Sequence, residues 1–142
     1  MGDLVKAIEH RILNTEKYLG VQSQYFAFFN KYLKGLRKGE LTIVTGASGS
    51  GKTTFLSQLS IDFLTQGMPT LWGSFEIKNE VLGQTMIQQF KREKLDDKNP
   101  DKVRRSLEEF KQYPLHFTNF YGSTDVQDIF ASLNHSIHAY DI

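Results

Sequence analysis

Apolar positions along this chain change period several times, and the changes mark out its elements. From Asp3 to Leu19 the apolar residues Leu4, Val5, Ile8, Ile12 and Leu13 recur at helical spacing while charges fill the other face. The pattern predicts an amphipathic helix that Gly20 stops. Val21 to Asn30 loses the period and gathers Tyr25, Phe26, Phe28 and Phe29, so it reads as a connector anchored by its rings. Lys31 to Glu40 is a basic turn with Gly35 and Gly39. Leu41 to Thr45 is a short β-branched run of the kind that forms a buried strand. From Lys52 to about Gln66 the helical period returns, with Phe55, Leu56, Leu59, Phe63 and Leu64 on one side; Gly67 ends it and Pro69 prevents continuation. Thr70 to Ile77 predicts a second strand that closes on the acidic Glu76. Asn79 is placed to cap the next helix, whose apolar positions are Val81, Leu82, Met86, Ile87 and Phe90.

A solvated stretch of mixed charge follows, from Lys91 to Asp101, and then a short helix to about Gln112 carrying Val103, Leu107 and Phe110. Pro114 opens a third strand in which Leu115, Phe117 and Asn119 share one face and His116 takes the other. Gly122-Ser123-Thr124-Asp125 is a turn that caps a last helix, with Val126, Ile129, Phe130, Leu133, Ile137 and Tyr140 as its core stripe. The order is helix, β, α, β, α, α, β, α. Strands alternating with helices imply an α/β fold with a parallel sheet covered on both faces. Three strands make a small sheet, and a further strand is the natural next element.

Composition changes this picture little. At 142 residues the chain fits one domain. A 39% hydrophobic and 23% charged make-up suits a globular chain. A formal net charge of +1 neither demands nor excludes a polyanionic partner. Cysteine is absent, which excludes disulfides, thiolate metal sites and cysteine nucleophiles. No apolar run approaches the roughly 18 residues of a membrane helix. Asp3, Glu9 and Glu16 argue against a transit peptide at the N-terminus.

The junction of the first strand and the helix after it carries the chemistry. Gly46-Ala47-Ser48-Gly49-Ser50-Gly51-Lys52-Thr53 fits the phosphate-binding P-loop pattern in full, with Thr54 following. Glycines let successive backbone N–H groups converge on a phosphate with no side chain in the way. The helix that follows adds its unsatisfied N–H groups and the positive end of its dipole. Lys52 then serves the β- and γ-phosphates of ATP, and the Thr53 hydroxyl is a ligand for Mg²⁺. Glu76 is the second candidate. In open parallel sheets ligands sit at the carboxyl ends of the strands. A glutamate at the end of the second strand is placed to orient or deprotonate a water that attacks the γ-phosphate; the plainer reading is a surface or capping carboxylate. His135 and His138 stand at i, i+3, a metal-ligand spacing without a third ligand nearby, and read as ordinary helical histidines. His116 reads as structural, and the ring cluster from Tyr25 to Phe29 as an anchor before it is a platform for bases.

The segment from Asn30 to Phe55, N-K-Y-L-K-G-L-R-K-G-E-L-T-I-V-T-G-A-S-G-S-G-K-T-T-F, resembles the entry to the motor domain of RecA-type hexameric replicative helicases of the DnaB kind. T-L-W-G-S-F-E-I from Thr70 to Ile77, with Q-Y-P-L-H-F-T-N-F-Y-G, is similar to the Twinkle-like mitochondrial replicative helicases in particular. The likeness runs from about Asn30 to Ile142. It implies a RecA-like P-loop NTPase, a parallel sheet flanked by helices, incomplete on its C-terminal side. It divides the chain into a linker helix and connector, residues 1–29, and the first portion of a motor domain, residues 30–142. It implies ATP and Mg²⁺ as cofactors, Lys52 on the phosphates, Thr53 on the metal and Glu76 as the catalytic base. It further implies single-stranded DNA as a partner, assembly into a hexamer or heptamer through the linker helix, 5′-to-3′ unwinding and a mitochondrial location.

The departures from that family are specific. Its Walker B strand, ending in a Mg²⁺-binding aspartate, should follow Tyr140-Asp141-Ile142, and Asp141 does not fill the role because no apolar strand precedes it. The DNA-binding loops, the arginine finger and most of the nucleobase pocket belong further on as well. The expectation is a shortened motor that binds ATP and hydrolyses it poorly alone. Two rivals stand beside it: a non-catalytic short form docking on full-length subunits through its first helix, and another P-loop enzyme such as a small-molecule kinase. The lack of an arginine-rich lid segment counts against the kinase.

Overall fold

The computed structural model of the chain describes residues 1–96, 98–120 and 124–142. They form two compact units, Met1–Val44 and Thr45–Ile142. In the first unit, helix α1 spans Gly2–Leu13, a 3₁₀ turn spans Thr15–Tyr18 and helix α2 spans Ala27–Leu33. The second holds α3 (Lys52–Thr65), β1 (Thr70–Ser74), α4 (Asn79–Lys91), α5 (Pro100–Phe110), β2 (Leu115–Asn119) and α6 (Val126–Tyr140).

The first helix is shorter than its apolar pattern predicts. Asn14 Nδ2 donates to His10 O at 2.8 Å and Thr15 Oγ1 to Ile12 O at 2.9 Å. These side chains offer the last turn local partners in place of further helix, and α1 stops there. The aromatic connector is not irregular throughout. Ser23 Oγ accepts from Phe26 N at 2.9 Å, Asn30 bridges back to Ser23 N and O at 2.8 and 2.6 Å, and α2 forms between them with Phe29 buried. Val21 and Leu36 make an antiparallel bridge. Beside it the backbone at Gly20 and that at Gly35 approach so closely that a Cβ on either would lie 2.4 Å from a carbonyl oxygen of the other strand. Arg37 ties this unit together, donating to Glu40 Oε1 at 2.7 Å and to the carbonyls of Leu33, Lys34 and Tyr18. The Glu40 hydrogen bond raises the Arg37 pKa, and the same bond holds the Glu40 carboxyl below its usual range.

The strand expected over Leu41 to Thr45 does not form. The segment has no regular structure, and Leu41 and Ile43 are 86% and 74% exposed. β-branched residues favour the extended chain, but a strand is held by a ladder, and this segment has no ladder bonds among the described residues. The sheet has two parallel strands, β1 beside β2, in a register that sets Thr70 against Leu115 and Ser74 against Asn119. β1 ends at Ser74, short of its expected reach to Ile77, because Ser74 Oγ accepts from Ile77 N at 3.0 Å and turns the chain.

The core of the second unit joins Ile61 of α3, Leu82, Met86 and Ile87 of α4 and Phe110 of α5, with Trp72, Leu115 and Phe117 of the sheet packed on them. Met86 is wholly buried. Trp72 Nε1 donates to Ser60 Oγ at 3.1 Å and fastens β1 to α3. His116 points away from Leu115 and Phe117, as alternation requires, and its ring stacks on Tyr140 of α6 at 3.9 Å. The sheet therefore carries helices on both faces. Asp125 caps α6, its side chain accepting from Gln127 N at 2.8 Å. Gly122 and Ser123 of the expected turn lie outside the described residues. The core stripe expected for α6 is wrong: Val126, Phe130, Leu133, Ile137 and Tyr140 are exposed, and Ser136 is the buried position. Helical period shows that one face is apolar; what covers that face is decided by the rest of the fold.

Candidate functional site

The P-loop lies in the second unit and opens α3. Ser50 N bonds to Ala47 O at 3.2 Å, which tightens the loop into a turn. Gly51 then takes φ +88° as the cap of α3, a left-handed conformation that a Cβ disfavours. From there Phe55 N bonds to Gly51 O at 2.8 Å, the first bond of the helix. The N–H groups of its first turn have no partner within the helix. Lys52 Nζ donates to Gly46 O and Ala47 O, 2.8 Å from each, so the ammonium group closes over the loop. A Cβ on Gly46 would sit 2.8 Å from Ser50 Oγ; the loop is a cradle that glycine keeps open. Thr53, on the first turn, makes no side-chain hydrogen bond to another described residue. Thr54 gives its carbonyl to Ser57 and Gln89.

Glu76 stands in the turn after β1 and is exposed. Its carboxylate makes no hydrogen bond or ion pair with another described residue. The turn itself is firmly held. Ser74 closes it, and the Phe75 ring stacks on Phe120 with centroids 5.0 Å apart and planes 4° from parallel. A cavity of about 110 Å³ lies here, lined in part by Ser74, Phe75, Glu76, Asn79, Asn119 and Phe120.

Asn79 departs from its expected role. Its side chain does not cap α4; Nδ2 donates to Thr118 O at 3.0 Å and to Asn119 Oδ1 at 2.8 Å. An amide at a helix start can cap or can reach across to a neighbouring strand, and here it ties the two strand ends together. Asn119, Phe120 and Gln89 are neighbours of the site that the sequence did not single out. Asn119 and Phe120 follow an alternating strand pattern that carries no chemical signal. Gln89 sits in an ordinary amphipathic helix.

The structure thus sets the P-loop at one end of α3, packs α3 on β1 through Trp72 and Ser60, and carries β1 into the Glu76 turn. No hydrogen bond or ion pair joins Glu76 to the P-loop among the described residues. Among the same residues no cluster of three or more His, Asp or Glu side chains forms a metal site, and His135 and His138 are exposed on α6. No helix among them is long and apolar enough to cross a membrane.

The family model described as AAA domain matches residues 24–126, more than half of the chain, and this span includes the P-loop, the Glu76 turn and both strands. A phosphate cradle at a helix N-terminus beside a parallel α/β sheet is the core such a domain requires. The chain belongs to this AAA domain family and carries its nucleotide-binding P-loop.

Proposed function

We propose that this chain is the opening portion of an ATP-dependent, 5′-to-3′ DNA helicase motor of the Twinkle-like kind, which serves mitochondrial DNA replication. The observation that carries the reading is the P-loop itself, an open glycine cradle with Lys52 folded over it at the start of α3. The exposed Glu76 carboxylate, free of any described partner in the turn after β1, supports the same reading. The resemblance of the segments around both supplies the helicase class, single-stranded DNA as partner, the hexameric or heptameric ring and the mitochondrial location.

In this reading the cradle amides and the Lys52 ammonium bind the β- and γ-phosphates and draw off negative charge as the bond to the leaving group breaks. Glu76 orients the attacking water and accepts its proton. Thr53 fits Mg²⁺ as the metal binds beside a nucleotide: its hydroxyl is a hard oxygen with no side-chain hydrogen bond to another described residue, and phosphate oxygens and waters complete such a shell. Bound there, the metal would neutralise phosphate charge. What these residues supply first is MgATP binding at Gly46 to Thr53.

Titration of the chain with MgATP by calorimetry tests this directly. Saturable binding that Lys52→Ala abolishes is the expected result; no binding by the unsubstituted chain, or binding that survives Lys52→Ala, overturns it. A second reading has its own observation. α1 buries none of its residues, and its apolar stripe of Leu4, Val5, Ile8 and Ile12 is exposed. That face suits a linker helix that docks on a full-length helicase subunit, with the chain acting as a non-catalytic short form.

A further inference from the structure

We propose that Gln89, at the far end of α4, is a positioning residue for the phosphate-binding turn of α3; the inference rests on the reading of Gly46 to Thr54 as an ATP site. Gln89 is distant in sequence from the P-loop and touches its helix with both ends of its amide. Nε2 donates to Thr54 O at 3.1 Å. Oε1 accepts from Ser57 Oγ at 2.8 Å. Ser57 is wholly buried, and its hydroxyl also lies 3.0 Å from Thr54 O. The amide cannot rotate without losing one of these bonds. Thr54 is the second residue after the P-loop lysine, so a donor fixed on its carbonyl holds the turn whose N–H groups face the phosphates.

The other end of the same helix explains why this tie matters. α4 begins three residues after Glu76, and Asn79 anchors that start to the end of β2 through Thr118 O and Asn119 Oδ1. α4 is thus bonded near Glu76 at one end and to the phosphate turn at the other. Between them its apolar face, Leu82, Met86 and Ile87, is packed in the core and leaves little room for it to slide. A helix pinned at both ends and packed along its length is a strut. It sets the phosphate turn and the Glu76 turn relative to each other. An apolar side chain at position 89 would pack α4 on α3 equally well; it would not hold the Thr54 carbonyl.

The test compares three variants of the full chain. Gln89→Met keeps the volume and removes both bonds. Gln89→Glu keeps the acceptor for Ser57 and sets a carboxylate oxygen against the Thr54 carbonyl. Ile87→Val loosens the same helix without touching α3's first turn. MgATP affinity should fall about threefold to tenfold in Gln89→Met, the range one ordinary hydrogen bond spans. It should fall at least as far in Gln89→Glu and stay unchanged in Ile87→Val, although all three lower the thermal midpoint. The ligand-free chain supplies an independent readout: backbone amide signals of Gly51, Lys52 and Thr53 should move, and their hydrogen exchange quicken, in Gln89→Met and not in Ile87→Val. Wild-type affinity in Gln89→Met, or first-turn amides indistinguishable from those of Ile87→Val, overturns the role of Gln89. If the unsubstituted chain binds no MgATP, the ATP reading fails, and the amide readout still decides whether Gln89 orders the turn.

Discussion

At the scale of single residues, the two candidate catalytic groups are legible to different depths. Lys52 follows from spacing alone, because the P-loop pattern fixes where its ammonium must reach, and the structure sets it over the loop carbonyls. Glu76 follows only from its place at a strand end. The structure adds what spacing could not: the turn is locked by the Ser74 bond and the Phe75–Phe120 stack, and the carboxylate is left without a described partner. The Ser74 contact uses a backbone amide and the ring stack belongs to the neighbouring residue, so neither depends on the charge at position 76. Glu76→Gln preserves shape and removes the proton acceptor. In the ring motor proposed above, MgATP affinity should remain within about twofold, since Glu76 makes no phosphate contact in this reading. Steady-state hydrolysis should fall by about 10²-fold or more, the usual contribution of a positioned base. Hydrolysis that persists at the original rate would assign the base to another residue.

At the scale of elements, periodicity located most helices well and judged their surroundings poorly. α3 begins and ends where the P-loop and Gly67 predict, and α4 and α5 form close to the expected segments. α2 was hidden because its apolar residues are aromatic and crowded, and its start depends on hydrogen bonds among Ser23, Phe26 and Asn30 that no local pattern announces. The segment at Leu41 has the composition of a strand and lacks the ladder of one, since pairing is a long-range property. α1 and α6 show the same limit in another form: each has a genuine apolar stripe, and each leaves that stripe largely exposed. The α1 stripe permits a clean experiment. Ile8→Asp with Ile12→Asp removes apolar side chains that are about half or more exposed, so its unfolding free energy should change by only about 0.5 kcal/mol for each substitution. In the docking reading proposed above, co-purification with helicase subunits should be lost, because an exposed carboxylate that enters an apolar interface must give up its water. Unchanged co-purification, or a chain that no longer folds, would remove α1 as the docking face.

At the scale of the whole molecule, the site and the core of the second unit are mechanically joined, and one side chain reports on both. Trp72 is the single tryptophan. It lies on β1, packs on the core and bonds to Ser60 of the helix that the P-loop opens. Its fluorescence therefore follows loss of the α3–β1 contact. Ligand that binds only the folded chain raises stability by mass action, about 2.7 kcal/mol at a hundred times the dissociation constant. Core truncation acts on a different quantity. Leu82 is 2% exposed in the cluster beneath the sheet, and Leu82→Ala should lower unfolding free energy by about 2–5 kcal/mol through lost burial and the cavity left behind. Leu82 touches neither the phosphate loop nor the Gln89 tie in any hydrogen bond, so the MgATP increment should remain in that variant while the baseline drops. Lys52→Ala should do the reverse, because among the described residues its ammonium bonds to exposed loop carbonyls alone: baseline nearly unchanged, increment gone. Urea titrations of the three chains, followed by Trp72 emission with and without MgATP, separate the two effects. An increment that disappears with Leu82→Ala at saturating nucleotide would mean that the phosphate loop depends on the core packing beneath α4 and is not preformed by its own sequence.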